Sequence, residues 1–117
     1  MPAARPAYQR GDVIYVPFRY AELTGGKVRP AVVVSSVAFY AAENCYIVAT
    51  VTSNVAASGP LSYQITDLTA AGLSVPSVVR PVLLTLSPKV MGQRVGTLTP
   101  ADLEGVAHCL RQALELT

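Results

Sequence analysis

Short apolar runs, broken by proline, glycine and small polar residues, follow one another along the chain as far as Leu98, and a helical apolar period replaces them beyond it. Gly11-Asp12 precedes Val13-Ile14-Tyr15-Val16-Pro17-Phe18, a run rich in β-formers that reads as the first strand. Pro17 cannot donate to a ladder and suits an edge or a strand end. Thr24-Gly25-Gly26 signals a turn. The second strand starts at Pro30 and continues through Ala31-Val32-Val33-Val34-Ser35. A connection over Ser36 to Asn44 leads to a third, Tyr46-Ile47-Val48-Ala49-Thr50-Val51, closed by Thr52. The polar, small-residue stretch Ser53 to Pro60 is a loop, and Leu61 to Ile65 a fourth strand. Asp67 to Gly72 reads as a turn. Ser77 to Arg80, Val82 to Leu86 and Arg94 to Leu98 are further short strands, separated by Pro76, Pro81 and Pro88. Short strands at this spacing predict a small closed barrel or sandwich.

The chain ends in a helix. Thr99 is a natural N-cap, Pro100 fits the first helical position, and Asp102 stands where a capping box carries its acid. Leu98 and Leu103 suit a hydrophobic staple. Leu103, Val106, Ala107, Leu110 and Leu114 share one face, which must lie on the barrel or on a partner. Glu104, His108, Gln112 and Glu115 fall opposite, so the single histidine reads as a solvated one.

If the second and third strands form an antiparallel hairpin about Ala41, paired positions sum to about 82. Pro30 then faces Thr52, and Arg29 faces Ser53. The first strand ends, the second starts and the third ends at one end of the sheet, where an arginine and a hydroxyl pair meet. Pro30 holds Arg29 out of the helical region. The planar guanidinium fork matches the two free oxygens of a phosphodiester. The chain offers no better anion site. It has no phosphate-binding loop, nucleophile elbow or His-Glu-x-x-His pattern, and its carboxylates are too few and scattered for a metal site.

At 117 residues the chain predicts one domain, residues 11–117, behind a loose N-terminal arm, residues 1–10. The 51% hydrophobic content implies either a large core or an apolar face covered by a partner, and a homodimer is the favoured expectation. The start lacks the apolar centre of a signal peptide and no segment approaches membrane-spanning length, so the cytoplasm is the expected compartment. Cys45 and Cys109 are far apart and read as two buried or half-buried thiols. The net charge of +2 is modest, but Arg5, Arg10, Arg19, Lys27 and Arg29 cluster early, and no Lys or Arg lies between Arg29 and Arg80. A basic rim at the end of the sheet would attract phosphates.

Read together, Gly11 to Phe18, Gly26-Lys27-Val28-Arg29-Pro30 with the run to Ser35, and Val51-Thr52-Ser53 resemble the MazF/PemK family of toxin endoribonucleases. The likeness continues through Ala71-Gly72-Leu73, Ser77-Val78-Val79-Arg80 and Val95-Gly96-Thr97-Leu98-Thr99 with the final helix. The chain departs from many relatives at Val82-Leu83-Leu84, where they carry a polar or basic residue, and near Ser87, where they carry an acidic one.

The resemblance implies an SH3-like β-barrel with a C-terminal helix, a homodimer and a cognate antitoxin. It implies cleavage of single-stranded RNA with no metal or other cofactor, and no membrane association. Arg29 falls on the family's catalytic arginine and Thr52 on its catalytic hydroxyl, with Ser53 adjoining. Lys27, by its place in the loop, and Arg80, by the resemblance, are expected phosphate contacts. Phe18 and Tyr20 are placed to stack on bases. The rival expectations are a CcdB-like gyrase inhibitor without catalysis and an inactive relative that only binds RNA or antitoxin.

Overall fold

In the computed structural model, which describes residues 7–17 and 28–117, β-formers alternate between two buried layers of one sheet. The strands are β1 (Asp12–Pro17), β2 (Val28–Val33), β3 (Tyr46–Thr52), β4 (Tyr63–Gln64), β5 (Val78–Leu86) and β6 (Arg94–Thr97). They make a six-stranded antiparallel sheet in the order β4-β5-β3-β2-β1-β6. The helices are α1 (Val37–Glu43), α2 (Leu68–Ala71) and α3 (Pro100–Leu114). This mainly-β, helix-terminated architecture is the expected fold class.

One face of the sheet carries Val13, Val32, Ala49, Val51 and Val79, packed with Ile65, Ala71, Leu98 and Val106 under α3 and α2. The other carries Ile14, Val16, Ala31, Val33, Tyr46, Val48 and Leu86, packed with Met91. Strands buried on both faces read as continuous apolar runs, which is why β2 and β3 show so little alternation. The sheet curls so that α2, which follows β4, reaches the far strand β6. Gly72 lies against the Val95 carbonyl, and Gly96 lies against Ala71. Neither position has room for a Cβ, and Gly72 also takes the left-handed conformation that ends α2.

Four details differ from the sequence expectations. The connection 36–44 is a helix, capped by the Ser36 hydroxyl accepting from the Phe39 N–H at 3.0 Å and closed by Asn44 in the left-handed region. The stretch 67–72 is a one-turn helix with Asp67 as its cap. The fourth strand shrinks to two residues. The two runs on either side of Pro81 form one strand, β5, because Pro81 sits in a bulge. Pairing with β3 passes from Val51↔Val79 to Ala49↔Leu83, two steps on β3 against four on β5. A bulge is where a strand tolerates proline.

Residues 7–10 fall within the expected N-terminal arm, and there Tyr8 is docked. Its hydroxyl donates to the Gly92 carbonyl at 2.7 Å, and its ring meets Tyr46 edge-on, while Tyr40 stacks on the same ring at 4.6 Å. Cys45 and Cys109 are free and half-buried. Among the described residues no helix is long and apolar enough to cross a membrane.

The C-terminal helix starts as expected, with the Thr99 hydroxyl accepting from the Asp102 N–H at 3.1 Å. The Asp102 side chain does something the capping pattern does not predict. Fully buried, it accepts from the Tyr63 hydroxyl at 2.7 Å, the Thr66 hydroxyl at 2.7 Å, the Thr66 N–H and the Asp67 N–H, tying α3 to the β4–α2 segment. Gly105, one turn on, leaves space for the Tyr63 ring. Burial pushes the Asp102 carboxyl up, but the bonds from Tyr63, Thr66 and Asp67 outweigh it and hold the group below its ordinary value. The same bond, with burial, pushes the Tyr63 phenol up to about 12. The stripe on α3 is only partly covered: Val106 and Ala107 are buried, but Leu114 remains about half exposed.

Asp102→Ala takes from Tyr63, Thr66 and Asp67 the charged acceptor they share and is expected to cost about 2–3 kcal/mol, measured by urea unfolding. Because the native pKa lies below the unfolded one, this contribution is complete above about pH 4 and is lost as pH falls through the native value. Asp102→Asn therefore gives a flatter acid limb in a plot of unfolding free energy against pH.

Candidate functional site

The end of the sheet is assembled by three ladders. β1 pairs with β2 through Val16↔Arg29 and Pro17↔Val28. β2 pairs with β3 through Val33↔Val48, Val32↔Ala49 and Ala31↔Thr50. β3 pairs with β5 through Thr52↔Val78. The β2–β3 positions sum to 81 rather than 82, which corrects the expected register by one residue. The reason is burial. With 81, Val32 and Ala49 share one apolar cluster and Val33 and Val48 the other, and α1 spans the gap in place of a symmetric turn. Carried to the start of β2 and the end of β3, this count sets Arg29 level with Thr52, not with Ser53. Directly opposed antiparallel residues have Cβ atoms about 5 Å apart and point to the same face. Extended in this way, the row across four strands runs Val16, Arg29, Thr52, Val78, its outer steps being ladder pairs and its middle step lying two residues beyond the last β2–β3 pair, Ala31↔Thr50. Val16 and Val78 are buried, while Arg29 and Thr52 are each partly exposed between them.

Both polar groups have unspent bonding capacity. The Nε of Arg29 is buried and has no hydrogen-bond partner among the described residues. A buried donor without an acceptor costs free energy, so its presence calls for an explanation. A bound anion supplies one. The Thr52 hydroxyl oxygen accepts from the Asn54 N–H at 3.1 Å, and its own hydrogen meets no acceptor among the described residues. A guanidinium and a hydroxyl presented side by side can hold two oxygens of one phosphate.

Ser53 lies just past the strand end and is exposed. Arg80 is exposed on β5, two residues along from Val78, at the start of the bulge. Neither Arg29 nor Arg80 is held by a salt bridge among the described residues. Phe18, Tyr20 and Lys27 lie outside the described residues. His108 is exposed on α3, far along the chain from this row. Among the described residues no three His, Cys, Asp or Glu side chains come together as a metal site. The feature that sequence reasoning missed here is the Asn54 backbone N–H. Its only sequence signal is the Thr-x-Asn spacing at the strand end, which favours a hydroxyl-to-backbone turn.

A family model described as PemK-like, MazF-like toxin of type II toxin-antitoxin system matches residues 9–114. Among solved structures, the chain is similar to an endoribonuclease in complex with its cognate antitoxin from a mycobacterial species (21% identity, 95% of this chain and 98% of that one, TM-score 0.75). It is also similar to MazF in a MazE-MazF crystal structure from Deinococcus radiodurans (23% identity, 98% and 100% covered, TM-score 0.70). A third is the Mycobacterium tuberculosis toxin MazF-mt6 (19% identity, 91% and 98% covered, TM-score 0.71). At these identities the likeness is one of fold. No curated protein matches the chain.

If Arg29 serves a ligand rather than the fold, Arg29→Met leaves stability unchanged or raises it by up to about 1 kcal/mol, since it removes a buried Nε that has no partner among the described residues. Urea unfolding of the two proteins checks this. A loss of several kcal/mol would make Arg29 a structural residue.

Proposed function

The chain belongs to the PemK-like, MazF-like family of toxins of type II toxin-antitoxin systems, and from that premise we propose that it is a metal-independent endoribonuclease cutting single-stranded RNA at short sequences. The observation that carries this reading is the β2–β3 register, which, extended past its last pair Ala31↔Thr50, sets Arg29 level with Thr52; among the described residues the Arg29 Nε is buried without a partner and the Thr52 hydroxyl hydrogen meets no acceptor.

RNA carries its own nucleophile. The 2′-oxygen gives up its proton and bonds to phosphorus, the bond from phosphorus to the 5′-oxygen breaks, and the 5′-oxygen takes up a proton. The products are a 2′,3′-cyclic phosphate and a 5′-hydroxyl. The enzyme's task is to align this attack and to stabilise charge on the phosphorane oxygens. Arg29 is the electrostatic stabiliser. A guanidinium offers donors and no acceptor, so Arg29 is not assigned the role of ground-state base. Thr52 donates a hydrogen bond to a phosphate oxygen. Ser53 and Arg80, exposed beside the row, serve as further contacts along the RNA, with Lys27, Phe18 and Tyr20 as the remaining contacts from the first part of the chain. The solved relatives that are complexes with a cognate antitoxin support such a protein as the partner here. The exposed Val82, Leu114 and Leu116 provide apolar surface for a homodimer.

End-mapping of RNA fragments made in the presence of a chelator tests the reading. We expect 5′-hydroxyl ends at a short recurring sequence, no cutting by Arg29→Ala, and a loss of about a hundredfold or more for Thr52→Ala. A 2′-deoxy nucleotide at the scissile position blocks cutting. Cleavage of that substrate, or full activity of Arg29→Ala, overturns the proposal.

A further inference from the structure

The turn after β3 is tied more tightly than a loop of small residues requires. The Val55 N–H donates to the Ser53 carbonyl at 3.0 Å, and the Ser58 N–H to the Val55 carbonyl at 3.1 Å. The Ser58 hydroxyl adds a second bond to that same carbonyl at 2.7 Å. These bonds fix the single turn Val55–Ala57 and the direction of the Asn54 N–H that precedes it. That N–H points back to the Thr52 hydroxyl oxygen. The Asn54 side chain makes no capping bond to the turn, so the contact to Thr52 belongs to its backbone.

A threonine hydroxyl has one hydrogen and two lone pairs. When a backbone N–H occupies one lone pair, the hydrogen rotates away from it and is free to donate. The same bond polarises the hydroxyl, strengthening it as a donor and weakening it as an acceptor. Building on the Arg29–Thr52 reading above, we infer that the Asn54 backbone N–H is a positioning group for the reaction. It biases Thr52 toward donating to the scissile phosphate and weakens it as a proton acceptor. The tied turn 53–58 exists to hold that N–H in place. Such pre-set donors act because no reorganisation is needed when charge develops.

The test removes the N–H and leaves the Thr52 side chain alone. Asn54 has φ −83°, close to the value proline imposes, so Asn54→Pro deletes the donor with little change of backbone path. On an RNA oligonucleotide that the parent protein cuts, Asn54→Pro should lower kcat about a hundredfold with KM little changed, matching Thr52→Val. Asn54→Ala, which keeps the N–H, should recover most of that loss. Because both changes disable one device, the Thr52→Val/Asn54→Pro double variant should cut no more slowly than the worse single variant. An amide-to-ester replacement at residue 54 removes the N–H while retaining the asparagine side chain, and should reproduce the proline result even if proline disturbs the turn. An ester variant as fast as the parent, or losses that multiply in the double variant, overturns the inference. A parent protein that cuts no RNA sinks the endoribonuclease reading itself, whereas a parent that cuts beside an equally fast ester variant sinks this inference alone.

Discussion

The register between β2 and β3 is the constraint on which the rest depends. Ala31, Val32 and Val33 on one strand and Val48 and Ala49 on the other have no exposed surface, and they divide between two apolar clusters on opposite faces. Sliding either strand by one residue would exchange the faces of every side chain along it. Arg29 and Thr52 lie just outside this clamped region. Their alignment is an extension of that register rather than the product of any bond between them. It is a by-product of apolar packing two to four residues away, and it survives as long as that packing does.

A second, independent clamp holds the other side of the molecule. Asp102 gathers donors from β4, from the turn before α2 and from α2's own cap, and so joins three segments that the apolar cluster alone leaves free to slide. A buried carboxylate is stable only when its lone pairs are filled, so the arrangement is close to all-or-none. Together with the Gly72 and Gly96 contacts, it fixes how far the sheet curls. The site end of β5 is thereby held beside β3, and Val78 stays opposite Thr52.

Much of this was readable from the chain. The limits of β3, the capped start of α3 and the pairing of the first three strands follow from apolar runs and Thr99-Pro100 signals that depend on neighbours in sequence. The errors share a cause. The helix α1 was hidden because its seven residues show no polar–apolar period and no buried member, so only its caps Ser36 and Asn44 announce it. The register slipped by one because a hairpin centred on Ala41 was assumed where a helix intervenes. β5 was split at Pro81 because a proline bulge looks, in one dimension, like a strand boundary. The role of Asp102 was invisible because its partners are about 35 residues away in sequence. The Arg-Pro and Thr-Ser pieces are legible as candidates at one end of the sheet, but the register that aligns Arg29 with Thr52 rather than Ser53 depends on tertiary packing.

The bulge in β5 carries one more implication. Its offset is an even number of residues, so Val79 before it and Leu83 after it still face the same cluster. The strand is in effect two modules joined by a parity-preserving hinge. The half before the bulge pairs Val78 with Thr52, while the half after it lends Leu84, Thr85 and Leu86 to an open recess of about 350 Å³ completed by Ser87 and Val90. A strand built in this way can absorb a proline and a change of direction without turning any inward side chain toward solvent.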